Sequence, residues 1–335
     1  MSETQHIHPA LRESLIKACK PTGYASFYDF MNLALYHPEA GYYTKSKKRV
    51  GKTPETDFYT ASSLGTVFGR LILEVATTLM PSISPQKLSF VELGAEPDQD
   101  IFKTAVSPFK EHITLRLGDS LSHPPTPSVL FANEILDAQP FHRFRFHSGK
   151  WNELGIKLES NAIKEALLPA LSPKATALTK RLPETSIEGY TVDIPSGAEA
   201  LLEHLITAKW EGILLLFDYG KSTASLLNET PQGTARAYKN HHQSNDLFAA
   251  PGEQDITCHI GWDWIEAKLQ ILGLSNIRVE SQEACLIKHA PQTIGDIISD
   301  RPGELTPERR TLQELIHPAH LGQKFQVLSA IRKNQ

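Results

Sequence analysis

The chain has 335 residues, 40% of them hydrophobic, a size and balance that allow a sizeable core in about two domains or one elaborated one. A formal net charge of -4 and a pI near 6.4 give no basic footprint, so extended nucleic-acid contact is not expected. Cys19, Cys258 and Cys285 are scattered, odd in number and without metal-ligand spacing, and no stretch approaches the roughly 20 apolar residues of a membrane span. The opening MSETQHIHPALRESL lacks an apolar core flanked by positive charge. A soluble, cytoplasmic protein without a metal site is the expectation.

Residues 9–20 carry the apolar spacing of a short amphipathic helix, and SFYDFMNLALYHPEAGYY reads as a second, with Ser26 as N-cap and Pro38 to Gly41 as the stop. Leu64, Val67, Phe68, Leu71, Ile72 and Val75 make the stripe of a third, closed by Pro81. Three apolar runs follow at 87–93, 128–132 and 212–217, the last preceded by a helical pattern at 198–210. Near-continuous apolar strands with helices between them predict a mostly parallel α/β sheet. Between the second and third runs, FHRFRFHSGKWNELGIKLE alternates around Ser148-Gly149 and reads as a hairpin. A helix at 262–272, a strand at 276–281, a helix at 306–316 and a closing strand KFQVLSAIR complete the pattern.

Three strand ends carry candidate chemistry. VELGAEPDQD places Glu92 and Gly94 at a strand-to-helix turn, with DQDIFKTAV as the helix whose free N–H groups would face a ligand. FANEILDAQP sets Asn133, Glu134 and Asp137 behind the second strand; on a helical turn the two acids, three apart, would share a face. The alternative is a capped helix start with acids in its first turn. LLLFDYGKS ends the third strand with Asp218. Its Gly-Lys-Ser is not a phosphate loop, because Leu215 stands where that pattern needs glycine. His241 and His242 are adjacent and diverge, without a third ligand at useful spacing.

Taken in order, YDFMNLALYHPEAGYY, DFYTAS, VELG, NEILDAQPFHRF, FDYG, GTARAYKNH and APGEQDIT resemble the MidA family, which includes a mitochondrial arginine methyltransferase needed for respiratory complex I assembly. The resemblance implies a Rossmann-like class I methyltransferase sheet using S-adenosylmethionine. It also implies a helical N-terminal region at 1–84 packing on a domain at 85–335, with an insertion at about 140–195. It places Glu92, Gly94, Asp119, Asn133 and Thr60 at the cofactor, and Glu134, Asp137 and Asp218 where a protein side chain, arginine, would meet it. A guanidinium has a pKa above about 12, so carboxylates must orient it and localise its charge. No nucleic acid or membrane partner is implied, and the oligomeric state is left open.

The chain also departs from the family. Only Gly94 remains of a Gly-Pro-Gly-x-Gly turn, the other positions being held by Glu96, Pro97 and Asp98. Only about 40 residues separate Val91 from Asn133, so HITLRLGDSL reads as a later strand and the ribose-binding strand with its acid as shortened or missing. Glu96 and Asp98 are candidates to hold the ribose hydroxyls instead. The competing reading is a non-catalytic relative that keeps the fold and groove as a binding or assembly factor.

Overall fold

The computed structural model describes residues 6–47, 49–51, 56–57, 61–97, 100–103, 105–120, 124–159 and 162–333. Its main sheet runs, edge to edge, Ser275–Ser281, Phe325–Arg332, Gly212–Lys221, Ser128–Asn133, Ser89–Leu93 and Glu111–Leu115. The last four of these strands are mutually parallel, while Phe325–Arg332 is antiparallel to both its neighbours. The short Ile260–Gly261 strand pairs in parallel with the carboxyl end of Gly212–Lys221.

The apolar runs are continuous because both faces of this sheet are covered. Phe90, Val129, Phe131, Ile213, Leu215 and Phe217 pack on one side with the Thr66–Leu79 helix and the carboxyl-terminal helices. Val91, Leu130, Leu214 and Leu216 pack on the other with Ser196–Thr207 and Trp262–Ile271. Side chains alternate between the two cores with the period of 2 that a strand imposes.

From Ser89–Leu93 the chain steps outward to Glu111–Leu115, then returns to Ser128–Asn133 on the other side. The strand order therefore reverses there, opening a crevice at the carboxyl edge between Leu93 and Asn133. This corrects the reading of HITLRLGDSL: it fills the position next to Ser89–Leu93, and no strand lies between it and Ser128–Asn133 among the described residues. The second strand is present, and Arg116 follows its last residue, Leu115, where an acid was expected.

The helix expected after Gly94 is also absent among the described residues. Ile101 to Lys103 form a turn, with Ile101 and Phe102 buried against the Thr66–Leu79 helix. A Cβ on Gly69 would lie 2.0 Å from the Ile101 carbonyl oxygen, so that helix approaches the turn as closely as only glycine allows. The N-terminal helix thus covers the face that a helix following the turn would have covered.

A second body faces the carboxyl edge. The helices Pro9–Ala18 and Phe27–Tyr36, the latter capped by Ser26 Oγ accepting from Asp29 N at 3.0 Å, share a core with three strands: Lys150–Glu159, Arg236–Lys239 and Asp255–Thr257. Those strands belong to two smaller sheets: Tyr24–Ser26, Lys150–Glu159, His142–His147 and Thr191–Ile194, with Ala162–Leu167 also paired to Lys150–Glu159, and His242–Ser244, Arg236–Lys239 and Asp255–Thr257.

Candidate active site

A cavity of about 1660 Å³ lies between the crevice and this second body. Its walls include the Glu92 to Pro97 turn, the Asn133 to Pro140 turn, Arg116, Asp119 and Asp255. Tyr28, Tyr36, Tyr43, Tyr219 and Tyr238 add aromatic faces. The volume exceeds the roughly 300–1,000 Å³ of a single small-ligand site, so two groups can meet in it.

On the crevice side, Gly94 has φ 72°, and a Cβ there would lie 2.9 Å from Ile135 Cδ1. Ala95 N donates to Leu115 O at 3.1 Å, folding the turn toward the edge strand. Glu92 is buried at the strand end and accepts from Thr114 Oγ1 at 3.4 Å. Burial, helped by the charge of Asp100, pushes its carboxyl up to about 7. Asn133 Nδ2 donates to Glu134 Oε1 at 2.8 Å, while Asn133 Oδ1 is buried without a partner. A glycine with no room for a side chain, a buried acid and an orphaned acceptor at one strand crossing suit a ligand with an ammonium or other donors.

The second cluster is not the helical turn that the sequence suggested. Glu134 has φ 54° and donates its N–H to Phe217 O at 2.8 Å, which swings the chain out of the strand and into an irregular turn. Gln139 Nε2 closes that turn on Ile135 O at 2.9 Å, and Tyr36 Oη donates to Ala138 O at 3.0 Å. Burial raises the Glu134 carboxyl well above the usual range, with Asp218 adding to it, although Asn133 and the Ala61 backbone bond to it. Burial and the charges of Asp218, Glu134 and Asp255 do the same to Asp137.

Asp218 has a different setting. It is fully buried, and its carboxylate accepts from Leu136 N at 2.8 Å, Asp137 N at 3.3 Å and Tyr219 N at 2.8 Å. Burial still pushes it up to about 7. These bonds make it the anchor of the turn that carries Asp137.

Asp119 stands at the rim, exposed, with Oδ2 accepting from Arg116 N at 2.8 Å, so it caps its own turn. Thr60 and Asp98 lie outside the described residues, as do residues 58 and 59 of the DFYTAS segment. Glu96 forms an ion pair with Arg49 at 3.0 Å, so its carboxylate is already engaged and is not simply waiting for ribose hydroxyls.

Two residues escaped the sequence reading. Asp255 is buried, with Oδ1 accepting from Tyr43 Oη and Ile256 N, both at 2.9 Å, and burial pushes it up to about 7. Its place in APGEQDIT was the available signal. Arg49 is buried with its guanidinium carbon 5.3 Å from the Tyr43 ring centroid. Nothing in KKRVGK marks it out. Glu134, Asp137 and Asp255 therefore gather in one aromatic-lined space. Among the described residues no group of three or more His, Cys, Asp or Glu is placed to hold a metal ion.

The comparisons with known proteins concern the family and the fold. Residues 69–278 match the family model of S-adenosyl-L-methionine-dependent methyltransferases. The chain is 22% identical to the mitochondrial protein arginine methyltransferase NDUFAF7 homolog of Drosophila melanogaster, over 98% of this chain and 86% of that protein. It is 22% identical to the mitochondrial protein arginine methyltransferase NDUFAF7 of Danio rerio, over 97% and 87%. It shares its fold with a Burkholderia thailandensis protein crystallised with S-adenosyl-homocysteine, at a TM-score of 0.82 and 21% identity, over 98% of this chain and 95% of that one. The relatives are mitochondrial by name, which overturns the cytoplasmic expectation.

Proposed function

This chain belongs to the MidA family of S-adenosylmethionine-dependent methyltransferases, and from that premise we propose that its acceptor is the guanidinium of an arginine in a protein. The observation that carries the acceptor reading is the convergence of Glu134, Asp137 and Asp255 with five tyrosines in the cavity that also receives the Gly94 turn. Carboxylates and aromatic faces are what a planar delocalised cation pairs with and stacks on. The arginine specificity named for the relatives supports the same choice.

The residues fit the cofactor at its amino-acid end. Glu92 would take the ammonium, the Gly94 backbone would lie against the chain, and Asn133 Oδ1 would accept from a ligand donor. Asp119, on the rim, would lie toward the nucleoside. When bound, S-adenosylmethionine supplies a methyl group on a sulfonium for in-line transfer, a reaction for which positioning contributes much of the acceleration.

Glu134 orients the guanidinium, with Asp137 and Asp255 beside it. Buried acids that favour the neutral form when the pocket is empty ionise as a cation enters, because the pair then offsets the desolvation. A carboxylate of this set receives the proton that the attacking nitrogen releases. Asp218 contributes by holding the turn.

The test is transfer of a labelled methyl group from S-adenosylmethionine to arginine-containing protein substrates, with amino-acid analysis of the product. Label appears on arginine, and Glu134→Gln lowers the rate at least 100-fold while leaving S-adenosylhomocysteine affinity within threefold. Label on lysine or carboxylate side chains alone, or an undiminished rate in Glu134→Gln, overturns the acceptor assignment.

A further inference from the structure

Arg49 is a buried cation only partly used by the protein. It is 3% exposed, and Nη1 donates to Lys45 O at 3.0 Å and Tyr42 O at 3.3 Å. Nη2 donates to Glu96 Oε2 at 3.0 Å. The rings of Tyr43 and Tyr42 flank the guanidinium with centroids 5.3 and 5.8 Å away. Nε, which shares with Nη2 the edge that grips a carboxylate by two parallel bonds, is buried without any hydrogen-bond partner.

Arg49 lines the cavity, and Glu96 is two residues beyond Gly94 on the cofactor turn. A buried N–H left unpaired costs about 1–3 kcal/mol, so the position calls for an acceptor that arrives with a ligand. The neighbouring cations are differently placed. Lys45 pairs with Glu253, Lys47 with Asp57 at 2.7 Å, and Arg116 is exposed at the end of its strand.

We propose that Arg49 is the positioning residue for the carboxylate at the amino-acid end of the cofactor, with Glu96 as the counter-ion that keeps the guanidinium in place. This rests on the cofactor assignment made above. It also recasts the lost glycine at position 96: the side chain there holds a cation against the turn that has to receive an anion. With Glu92 buried at the adjoining strand end, the cavity presents one group for each charge of an amino acid. An arginine suits the task better than a lysine, because a planar fork can bond Glu96 and a second carboxylate along one edge while stacking on tyrosine.

The experiment compares two probes by calorimetric titration: S-adenosylhomocysteine, and 5′-methylthioadenosine, which lacks the whole amino-acid end. A third, the carboxamide of S-adenosylhomocysteine, removes only the negative charge. The parent protein prefers the acid over the carboxamide at least thirtyfold. Arg49→Gln cuts that preference to threefold or less with 5′-methylthioadenosine affinity unchanged, Arg49→Lys restores part of it, and Glu96→Gln keeps it.

A parent that binds acid and carboxamide within threefold overturns the proposal without any variant, and so covers the case in which Arg49→Gln does not fold. An Arg49→Gln protein that retains the full preference overturns it as well. If the parent binds none of the three probes, the cofactor assignment falls and the Arg49 proposal with it. A loss confined to Arg49 variants leaves that assignment standing.

Discussion

At the scale of the single residue, Asp255 carries a pH dependence whose sign can be worked out. Burial raises its folded-state carboxyl from about 3.8 to about 7, so between those values the folded chain binds more protons than the unfolded one. Stability from this group is full below the unfolded value and is lost as pH rises through about 7. Asparagine imitates the neutral acid, since Tyr43 and Ile256 both donate to Oδ1 alone. Asp255→Asn therefore matches the parent's thermal midpoint at pH 4 and exceeds it by roughly 5 °C at pH 8, measured by scanning calorimetry. An equal margin at both pH values would mean that the carboxyl does not titrate in this window. The same ionisation that costs stability prepares the pocket for a cation, so in a methyl-transfer assay the acceptor KM of the parent falls over this range.

At the scale of the element, the place where pattern misled is the stretch after Gly94. DQDIFKTAV has the apolar spacing and acidic start of a helix, yet Ile101 and Phe102 turn into the core beneath Thr66–Leu79. Nothing local announces this, because the competitor for that face of the sheet lies some 30 residues earlier in the chain. Gly69 was the only trace, and a glycine inside a helical stripe has several meanings. Its role is testable. The Cβ of Gly69→Ala would meet backbone, the Ile101 carbonyl oxygen at 2.0 Å, so the helix must move off the turn. Alanine's better helix propensity, about 1 kcal/mol, works in the opposite direction. Overpacking wins: the variant loses about 1–3 kcal/mol, read as a lower urea midpoint at unchanged slope. A gain in stability would show that helix and turn are not in contact. The strands, by contrast, were legible to within a few residues. That holds for the three central ones, Ser89–Leu93, Ser128–Asn133 and Gly212–Lys221, each of which carries a run of large apolar side chains that alternate between two cores.

At the scale of the whole molecule, the strand ends could be read but their meeting could not. Asp137 follows one strand of the main sheet and Asp218 lies within another, while Asp255 comes from a three-residue strand of a small sheet that carries no pattern of its own. What brings that sheet to the cavity is a buried junction around Asp193, on the Thr191–Ile194 strand of the second sheet. Its carboxylate accepts from Arg143 Nε at 2.7 Å, and from Thr234 N and Ala235 N at 2.6 and 2.9 Å, where the chain enters Arg236–Lys239. That strand in turn pairs with Asp255–Thr257. Asp193→Ala strips Arg143 Nε, Thr234 N, Thr234 Oγ1 and Ala235 N of their acceptor and leaves the buried Arg143 only its longer pair with Glu165 at 3.7 Å, a loss of about 3–5 kcal/mol. Arg143→Met removes the charge pair but leaves Asp193 its two backbone donors, so its loss is smaller. In thermal unfolding the aspartate variant should fall further than the arginine variant. Its acceptor KM should also rise, because Asp255 is placed through the same junction. Equal losses from the two variants would mean that Asp193 acts only through its ion pair, and that the Asp255 sheet is held in place by its other contacts.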